Sequence, residues 1–220
     1  MKIYILGKSN STISVQLDAL YESYNCTFTV NIIQNIPTDE TLPYRLEKIE
    51  RFNCNIINDN EWDGNFEKLL LGVIQVSTKE AVYDSFFKSH KIREDDYFTL
   101  FHPNSIISKQ NEIGSGVFIG PGSIIAPYVT LGNLVSINRN VSIGHHAEIG
   151  KFSTLNPGCN IGGMSKIGEC TTIGMGANIF DGVNVGKNTI IGAGSVVTKS
   201  IPDNVVAFGV PACVIKENYK

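Results

Sequence analysis

The sequence has no marked excess of charge of either sign, few histidines and no long apolar run. Eighteen lysines and arginines stand against 21 aspartates and glutamates, so the formal net charge is −3. Binding to nucleic acid requires a basic surface that neutralises phosphates, so we expect no nucleic-acid partner. The apolar run over residues 1–7 is shorter than a signal-peptide core, and no stretch reaches the length of a membrane span. We therefore expect a cytoplasmic protein without a membrane partner.

Cysteine pairs are also missing. The five cysteines are an odd number without a CxxC pair, which predicts reduced thiols rather than a disulfide framework or a zinc site; they are Cys26, Cys54, Cys159, Cys170 and Cys213. Cys159 falls on an inward position of the repeat described next. There we expect a small buried hydrophobic side chain and not a catalytic thiol.

A repeat of six residues runs through the second half of the chain. An aliphatic residue stands at every sixth position from Ile107 to Val197, and all sixteen positions are Ile, Leu or Val. Four residues after each aliphatic residue from Ile113 to Ile191 comes a small residue or valine. Glycine often follows the aliphatic residue directly, where we expect a turn that needs backbone freedom. A period of six fits neither an α-helix nor simple strand alternation, and it is the mark of a parallel β-helix.

The first hundred residues alternate between strand and helix patterns. Strands are predicted over Ile3–Leu6, Thr27–Ile33 and Gly72–Val76. A first helix, capped by Ser9-Asn10-Ser11, has apolar residues on one face, namely Ile13, Leu17, Leu20, Tyr21 and Tyr24. A second helix, with Val82 and Phe86, is predicted to open on the capping box Ser77-Thr78-Lys79-Glu80.

Strand–helix–strand alternation predicts a small Rossmann-like α/β domain over residues 1–101 that binds a nucleotide or a sugar. The turn Gly7-Lys8-Ser9-Asn10-Ser11 has only one glycine, which is fewer than a phosphate-binding turn normally has. The alternative is an α/β domain that packs on the β-helix without binding a nucleotide.

Two of the four histidines are adjacent. Because Ile143 and Ala147 occupy inward positions of the repeat, His145 and His146 are expected at a corner on the outer wall. Imidazole can take up a proton near neutral pH, which suits a general base, and N–H groups of glycine-rich corners can stabilise an oxyanion.

Four segments in and around the repeat are distinctive: His102-Pro103-Asn104-Ser105, residues 138–149, Gly162-Gly163 and Gly209-Val210-Pro211-Ala212. Together with the six-residue repeat, they resemble the sialic acid O-acetyltransferase and bacillosamine N-acetyltransferase family of hexapeptide-repeat acyltransferases. The resemblance implies a left-handed β-helix over residues 102–220 with a C-terminal tail, built from three hexapeptides per turn. It also implies a homotrimer with active sites between adjacent subunits, and acetyl-coenzyme A as the donor.

The resemblance also implies roles for single residues. His145 matches the general base, and His146 stands where the family usually has an acid, so Glu148 is a candidate to assist. The acetyl-coenzyme A contacts fall on Thr154, Gly163, Met175 and Ala193. Lysines near the end of the repeat can meet its phosphates as point charges, namely Lys187, Lys199 and Lys216, of which we favour Lys199. The positions that match sugar-nucleotide contacts are Ser9, Asn10, Ser77 and Asn138.

The expected reaction is transfer of an acetyl group to the amino group of a nucleotide-linked amino sugar in surface glycan biosynthesis. Acetylation of a sugar hydroxyl is the near alternative, since the same base and oxyanion donors serve both acceptors. A γ-type carbonic anhydrase requires a third histidine, and we expect no metal. A structural or ice-binding solenoid would show a regular outward face, which this repeat does not have.

Overall fold

The computed structural model describes residues 1–7, 9–35 and 52–219. The N-terminal lobe, meaning the described residues before Leu100, has four strands and two α-helices. The strands are β1 (Lys2–Leu6), β2 (Phe28–Gln34), β3 (Phe52–Asn58) and β4 (Leu69–Leu71), and the helices are α1 (Asn10–Ser23) and α2 (Val76–His90). Short 3-10 turns lie at Asp59–Glu61 and Glu94–Asp96. The strands form one parallel sheet in the order β3-β2-β1-β4.

Helix α1 packs on this sheet through the face that the sequence predicts. Ile13, Leu17 and Leu20 are buried, whereas Tyr21 is exposed and Tyr24 lies after the last turn. Ser9 occupies the N-cap position, but its side chain makes no capping hydrogen bond. Lys8 lies outside the described residues, as does the side chain of Asn10.

Two predictions for the segment after β4 are wrong. The strand predicted over residues 72–76 is instead β4, which ends at Leu71. Gly72 passes so close to β1 that a Cβ atom there would lie 2.4 Å from the carbonyl oxygen of Gly7. The capping box at residues 77–80 is also wrong, because α2 has Gln75 as its N-cap residue without a side-chain capping bond. Glu80 instead accepts a hydrogen bond from the Cys170 thiol, at 3.1 Å.

The second half of the chain forms a three-sided column of short parallel strands. The first face contains β5 (Leu100–Phe101), β8 (Phe118–Ile119), β11 (Ser136–Ile137), β14 (Thr154–Leu155), β17 (Thr172–Ile173), β20 (Ile190–Ile191), β22 (Val205–Gly209) and the antiparallel β23 (Ala212–Glu217). The second face contains β6 (Ile106–Ile107), β9 (Ile124–Ile125), β12 (Ser142–Ile143), β15 (Asn160–Ile161), β18 (Asn178–Ile179) and β21 (Val196–Val197). The third face contains β7 (Glu112–Ile113), β10 (Thr130–Leu131), β13 (Glu148–Ile149), β16 (Lys166–Ile167) and β19 (Asn184–Val185).

The strand register confirms the predicted repeat. Ile137 pairs with Leu155 and Leu155 pairs with Ile173, so one turn takes three hexapeptides. The chain passes from the first face to the second, then to the third and back. It therefore makes three corners per turn, which we call the first corner (first to second face), the second corner (second to third) and the third corner (third to first).

The interior of the column contains the two inward series that the sequence predicts. The aliphatic residues from Ile119 to Val197 are at most 3% exposed, and Ile107 and Ile113 pack partly buried at the open N-terminal end. The small residues of the second series are also buried, including Cys159. Their hydroxyl groups donate to carbonyl oxygens of the next turn, as from Thr171 to Gly186 at 2.7 Å. Burial of polar atoms inside the column is thus compensated by hydrogen bonds.

The reason predicted for the glycines that follow the aliphatic residues is wrong. Glycine at these positions allows the turns to stack, because a Cβ atom on Gly132 would lie 2.6 Å from the backbone nitrogen of Lys151. The left-handed backbone conformation occurs two residues further on, for example at Tyr128 and His146, with φ of 63° and 58°.

The N-terminal lobe packs on the first face and the third corner. Leu100 and Phe118 join the apolar cluster of α1, β1 and β2. Leu134 and Phe152, both at the third corner, pack among residues of α2 and β4. Within the described ranges, no helix is both long enough and apolar enough to cross a membrane.

Candidate active site

The two adjacent histidines lie at the second corner, between β12 and β13. Both side chains are exposed, while Ile143 and Ala147 on either side are buried. The two Nδ1 atoms are 3.1 Å apart, within hydrogen-bond distance. The imidazole of His146 also packs on Tyr128, with ring centroids 4.9 Å apart. The corner thus orients His145 through His146 and leaves its imidazole open to a substrate.

Residues one turn apart form a row above His145 at the second corner. The row continues through Gly163, Asp181 and Lys199, each stacked on the previous turn. With about 4.8 Å between stacked strands, Lys199 lies roughly 14 Å along the column from His145. Gly163 leaves room for the histidine, since a Cβ atom there would lie 3.1 Å from the imidazole atoms Cε1 and Nε2. Of the three lysines considered above, only Lys199 shares the corner with His145.

The glycine-rich turn next to His145 does not supply free N–H donors. The N–H of Gly163 donates to Oδ1 of Asp181 at 2.7 Å. The N–H groups of Gly162 and Met164 donate to the carbonyl oxygens of Ile179 and His145. The predicted oxyanion donors are therefore not found at this turn in this structure.

Met175 and Ala193 lie at the first corner, one turn apart. Both are exposed, and the N–H of Gly194 donates to the carbonyl oxygen of Met175 at 2.8 Å. Among the described residues, the N–H groups of Met175 and Ala193 have no hydrogen-bond partner. These two groups can donate to carbonyl oxygens of a ligand.

Glu148 points away from the histidine pair. Its carboxylate pairs with the ammonium of Lys166 at 2.8 Å, on the third face. The group hydrogen-bonded to the imidazole of His145 is therefore His146 and not the carboxylate of Glu148.

A cleft of about 320 Å³ separates the N-terminal lobe from the first face. One wall is the segment from Ile74 to Ser77, at the start of α2, and the other contains Thr154 and Asn188. Thr154 is 2% exposed, and its hydroxyl donates to the carbonyl oxygen of Ile74 at 2.6 Å. The structure thus brings Ser77 and Thr154, predicted to contact different substrates, to the same cleft.

A smaller hollow of about 100 Å³ adjoins this cleft, with Ile74 lining both. Asn138 and Thr12 line the hollow. Ser9 lies beside it, since its hydroxyl accepts a hydrogen bond from Thr12 at 3.2 Å. Ser77 in the cleft, Asn138 in the hollow and Ser9 beside the hollow therefore all lie where the lobe meets the column.

The residues of the two regions do not come together within one chain. The cleft opens on the first face, whereas His145 lies at the second corner, which is the corner opposite that face in a triangular cross-section. Thr154 and the sugar-nucleotide positions lie on one side of the column, and His145, Gly163 and Lys199 on the other.

Lys79 has no role in the sequence-based prediction beyond its place in the helix cap. It is fully buried between α2 and the column, and its side chain donates to oxygen atoms of three column residues. Burial lowers the pKa of this lysine from 10.5 to about 7, although the neighbouring Cys170 and Glu80 act in the opposite direction.

In the described part of the chain, no group of three His, Cys, Asp or Glu residues is placed to hold a metal ion. The buried thiol of Cys159 has its pKa raised to about 12 by desolvation. Such a thiol is not available as a nucleophile at neutral pH.

No protein-family model and no curated protein matches this sequence. Solved structures do match, and they define the class of fold. The acetyltransferase domain of PglB from Neisseria gonorrhoeae FA1090, solved in complex with acetyl coenzyme A, is 19% identical with a TM-score of 0.76. The match covers 97% of this chain and 98% of that chain.

Two further structures have the same fold. A mutant of perosamine N-acetyltransferase from Caulobacter crescentus, in complex with CoA and GDP-perosamine, is 22% identical with a TM-score of 0.76, covering 98% of this chain and 97% of that chain. WeeI from Acinetobacter baumannii AYE is 21% identical with a TM-score of 0.71, covering 98% of this chain and 100% of that chain. The α/β lobe followed by a parallel-stranded column is thus a fold that this chain shares with them from end to end.

Proposed function

We propose that this chain is an acetyl-coenzyme A-dependent N-acetyltransferase that acts on the amino group of a nucleotide-linked amino sugar in glycan biosynthesis. The observation that carries the proposal is the exposed imidazole of His145, bonded to His146 at a corner of a column whose structural neighbours bind acetyl coenzyme A or CoA. The GDP-perosamine bound in one neighbour supports a nucleotide-linked amino sugar as the acceptor.

In the proposed reaction, His145 is the general base. The amino nitrogen of the acceptor attacks the thioester carbonyl, and the imidazole takes the proton from that nitrogen. The carbon–sulfur bond then breaks, the protonated imidazole gives its proton to the sulfur atom, and coenzyme A leaves as a free thiol. His146 is the positioning partner, since its Nδ1 atom faces Nδ1 of His145 and leaves Nε2 for the acceptor.

The donor would lie along the second corner, past Gly163 toward Lys199. The roughly 14 Å between His145 and Lys199 suits a donor whose thioester and phosphates are well separated, and the exposed ammonium of Lys199 can meet a phosphate. Met175 and Ala193 supply backbone N–H groups to which no described residue is hydrogen-bonded, and such groups suit the carbonyl oxygens of the thioester and the amide links. The hydroxyl of Thr154 already donates its hydrogen to the carbonyl oxygen of Ile74, so toward a ligand it can act only as a hydrogen-bond acceptor.

The acceptor would bind in the cleft between lobe and column and in the adjoining hollow, with Ser77, Ser9, Asn10 and Asn138 as its contacts. The strand order β3-β2-β1-β4 supports a Rossmann-like domain, proposed over residues 1–101, because it matches the first half of the classic nucleotide-binding order. We propose that residues 102–220 form a left-handed β-helix domain with a C-terminal tail.

The opposite placement of the cleft and His145 supports a site shared between two copies of the chain. We propose a homotrimer, in which the second corner of one copy faces the cleft and the first corner of the next copy. Closed cyclic assemblies repeat one such contact around their axis, so three copies would form three sites.

The test is release of coenzyme A thiol from acetyl-coenzyme A with a panel of nucleotide-linked amino sugars. His145→Ala is expected to lower turnover by about 10²–10⁴-fold, the usual contribution of a general base. Because the side chain is exposed, the melting temperature should not change measurably. His90→Ala is a control for the loss of a histidine outside the proposed site, since His90 is paired with Asp59 in the lobe; it should keep its turnover, although its melting temperature should fall because His90 also packs on Trp62 and Phe86.

Unchanged turnover in the His145 variant would remove this residue as the base. Thiol release with hydroxyl sugars but with no amino sugar would move the assignment to O-acetylation. A stable monomer by native mass measurement would exclude the shared site.

A further inference from the structure

Lys79 is the buried charged residue that the proposed reaction leaves unused. Its side chain is 0% exposed, and its Nζ atom lies 3.0 Å from the carbonyl oxygens of both Leu134 and Ser153 and 3.3 Å from the hydroxyl of Ser136. These partners belong to two successive turns of the column. A single ammonium group therefore ties the first turns of α2 to the column.

The contacts of Lys79 fix one wall of the cleft. The N–H of Lys79 donates to the carbonyl oxygen of Gln75, so its backbone is continuous with the segment from Ile74 to Ser77. At the other end of that segment, Thr154 donates to Ile74. The wall is held by side-chain hydrogen bonds at both ends, and Lys79 contributes three of them.

The bonding of Lys79 can persist whether or not it carries a proton. An ammonium has three donors, which match its three acceptors. A neutral amine has two N–H donors for the two carbonyl groups and a lone pair that can accept from the Ser136 hydroxyl. The attachment is therefore not lost when this group titrates.

We propose that Lys79 is a positioning residue that holds the segment from Ile74 to Ser77 against the column and so sets the width of the cleft that binds the acceptor. The role in acceptor binding rests on the proposed function, whereas the attachment itself does not. Because Lys79 is buried behind the cleft wall, it would act through Ser77 and its neighbours and not on the reacting atoms.

The first test measures the width of the cleft without any substrate. Cys170 lines the cleft, Cys213 is exposed and Cys159 is buried inside the column. Alkylation by iodoacetamide, read for each cysteine by peptide mass, thus reports on the cleft, the surface and the core in one sample. The variants are Lys79→Met, Ser136→Ala and the control Lys88→Met, which removes an exposed lysine from the same helix.

Alkylation of Cys170 is expected to be about tenfold faster in Lys79→Met, which corresponds to 1.4 kcal/mol of easier opening. The increase should be about threefold in Ser136→Ala, with no change in Lys88→Met or at Cys213. Rates within twofold of wild type in both variants, with Cys159 unmodified, would overturn the proposal. If Cys159 reacts in Lys79→Met, the column has unfolded, and Ser136→Ala alone decides.

The second test is kinetic and uses whichever nucleotide-linked sugar the wild type acetylates. The KM for that sugar should rise several-fold in Ser136→Ala and Lys79→Met, while kcat and the KM for acetyl-coenzyme A stay within about twofold. A fall in kcat without a change in the sugar KM would overturn the link to acceptor binding. Failure of the wild type to acetylate any sugar would refute the proposed function and leave the alkylation result standing.

Discussion

The stability of this protein should rise with pH between 7.0 and 8.5 because Lys79 is buried. The pKa of this lysine is lowered to about 7 in the folded protein, against 10.5 for an exposed lysine. Between these two values the unfolded chain binds a proton that the folded chain does not bind. The free energy of unfolding therefore increases as the pH rises, and the destabilisation by Lys79 is complete below pH 7.

The size of the effect follows from the separation of the two pKa values. Over the whole range it amounts to about 5 kcal/mol, at 1.36 kcal/mol for each pH unit. Between pH 7.0 and 8.5 the difference should be about 1.6 kcal/mol, which is less than the full 1.36 kcal/mol per pH unit because the folded lysine is still half protonated at pH 7. The upper limit of pH 8.5 keeps the measurement below the range in which the half-buried thiol of Cys54 and the buried thiol of Cys159 act in the opposite direction, because desolvation raises the pKa of both.

Urea unfolding at fixed protein concentration measures this difference. With a denaturant slope of about 3 kcal/mol/M, the midpoint of the wild type should move up by roughly 0.5 M urea between pH 7.0 and 8.5. The comparison is with Lys79→Met, which keeps all other titrating groups and should lose this dependence. Equal midpoint shifts in the two proteins would refute a buried lysine that releases its proton near neutral pH.

Two further predictions concern the column. Gly174→Ala should lower the free energy of unfolding by about 3 kcal/mol, because a Cβ atom there would lie 2.5 Å from the backbone nitrogen of Ala193. In the control Gly176→Ala the Cβ atom meets open space, so this variant should lose only about 1 kcal/mol for its left-handed φ of 66°. Equal melting temperatures for the two variants would contradict the stacking explanation. Glu148→Gln should keep the rate of thiol release within about twofold of wild type, because Glu148 is paired with exposed Lys166 and not with His145. A tenfold lower rate of thiol release would show that Glu148 assists the base.

The column could be predicted almost residue by residue because its order is local and repeated. Each inward position is fixed by its place in a hexapeptide, so Ile143, Ala147 and Cys159 were placed correctly without tertiary information. The same register could have shown that Asp181 stacks directly above Gly163 and occupies its N–H.

The lobe was harder to predict because its boundaries depend on packing between distant segments. Gly72 ends β4 where it meets Gly7, which no local pattern indicates. Lys79 has its bonding partners more than fifty residues away in the sequence. A lysine in an amphipathic helix is ordinarily solvated, so only the three-dimensional structure reveals its burial.

The position of His145 opposite the cleft makes a prediction that a single-chain site cannot meet. Ser77→Trp should block the cleft without unfolding the chain, because Ser77 is exposed in the first turn of α2. His145→Ala removes the base, so each variant alone should be almost inactive. If His145 of one copy serves the cleft of the next copy, mixed trimers contain sites with an intact histidine and an intact cleft. Unfolding and refolding the two variants together at equal amounts should then restore about one quarter of the wild-type rate, the random share of such sites.

Activity no higher than that of the separate variants, from mixed trimers verified by native mass, would place the base and the cleft in the same chain. An active Ser77→Trp variant by itself would remove the cleft as the acceptor site.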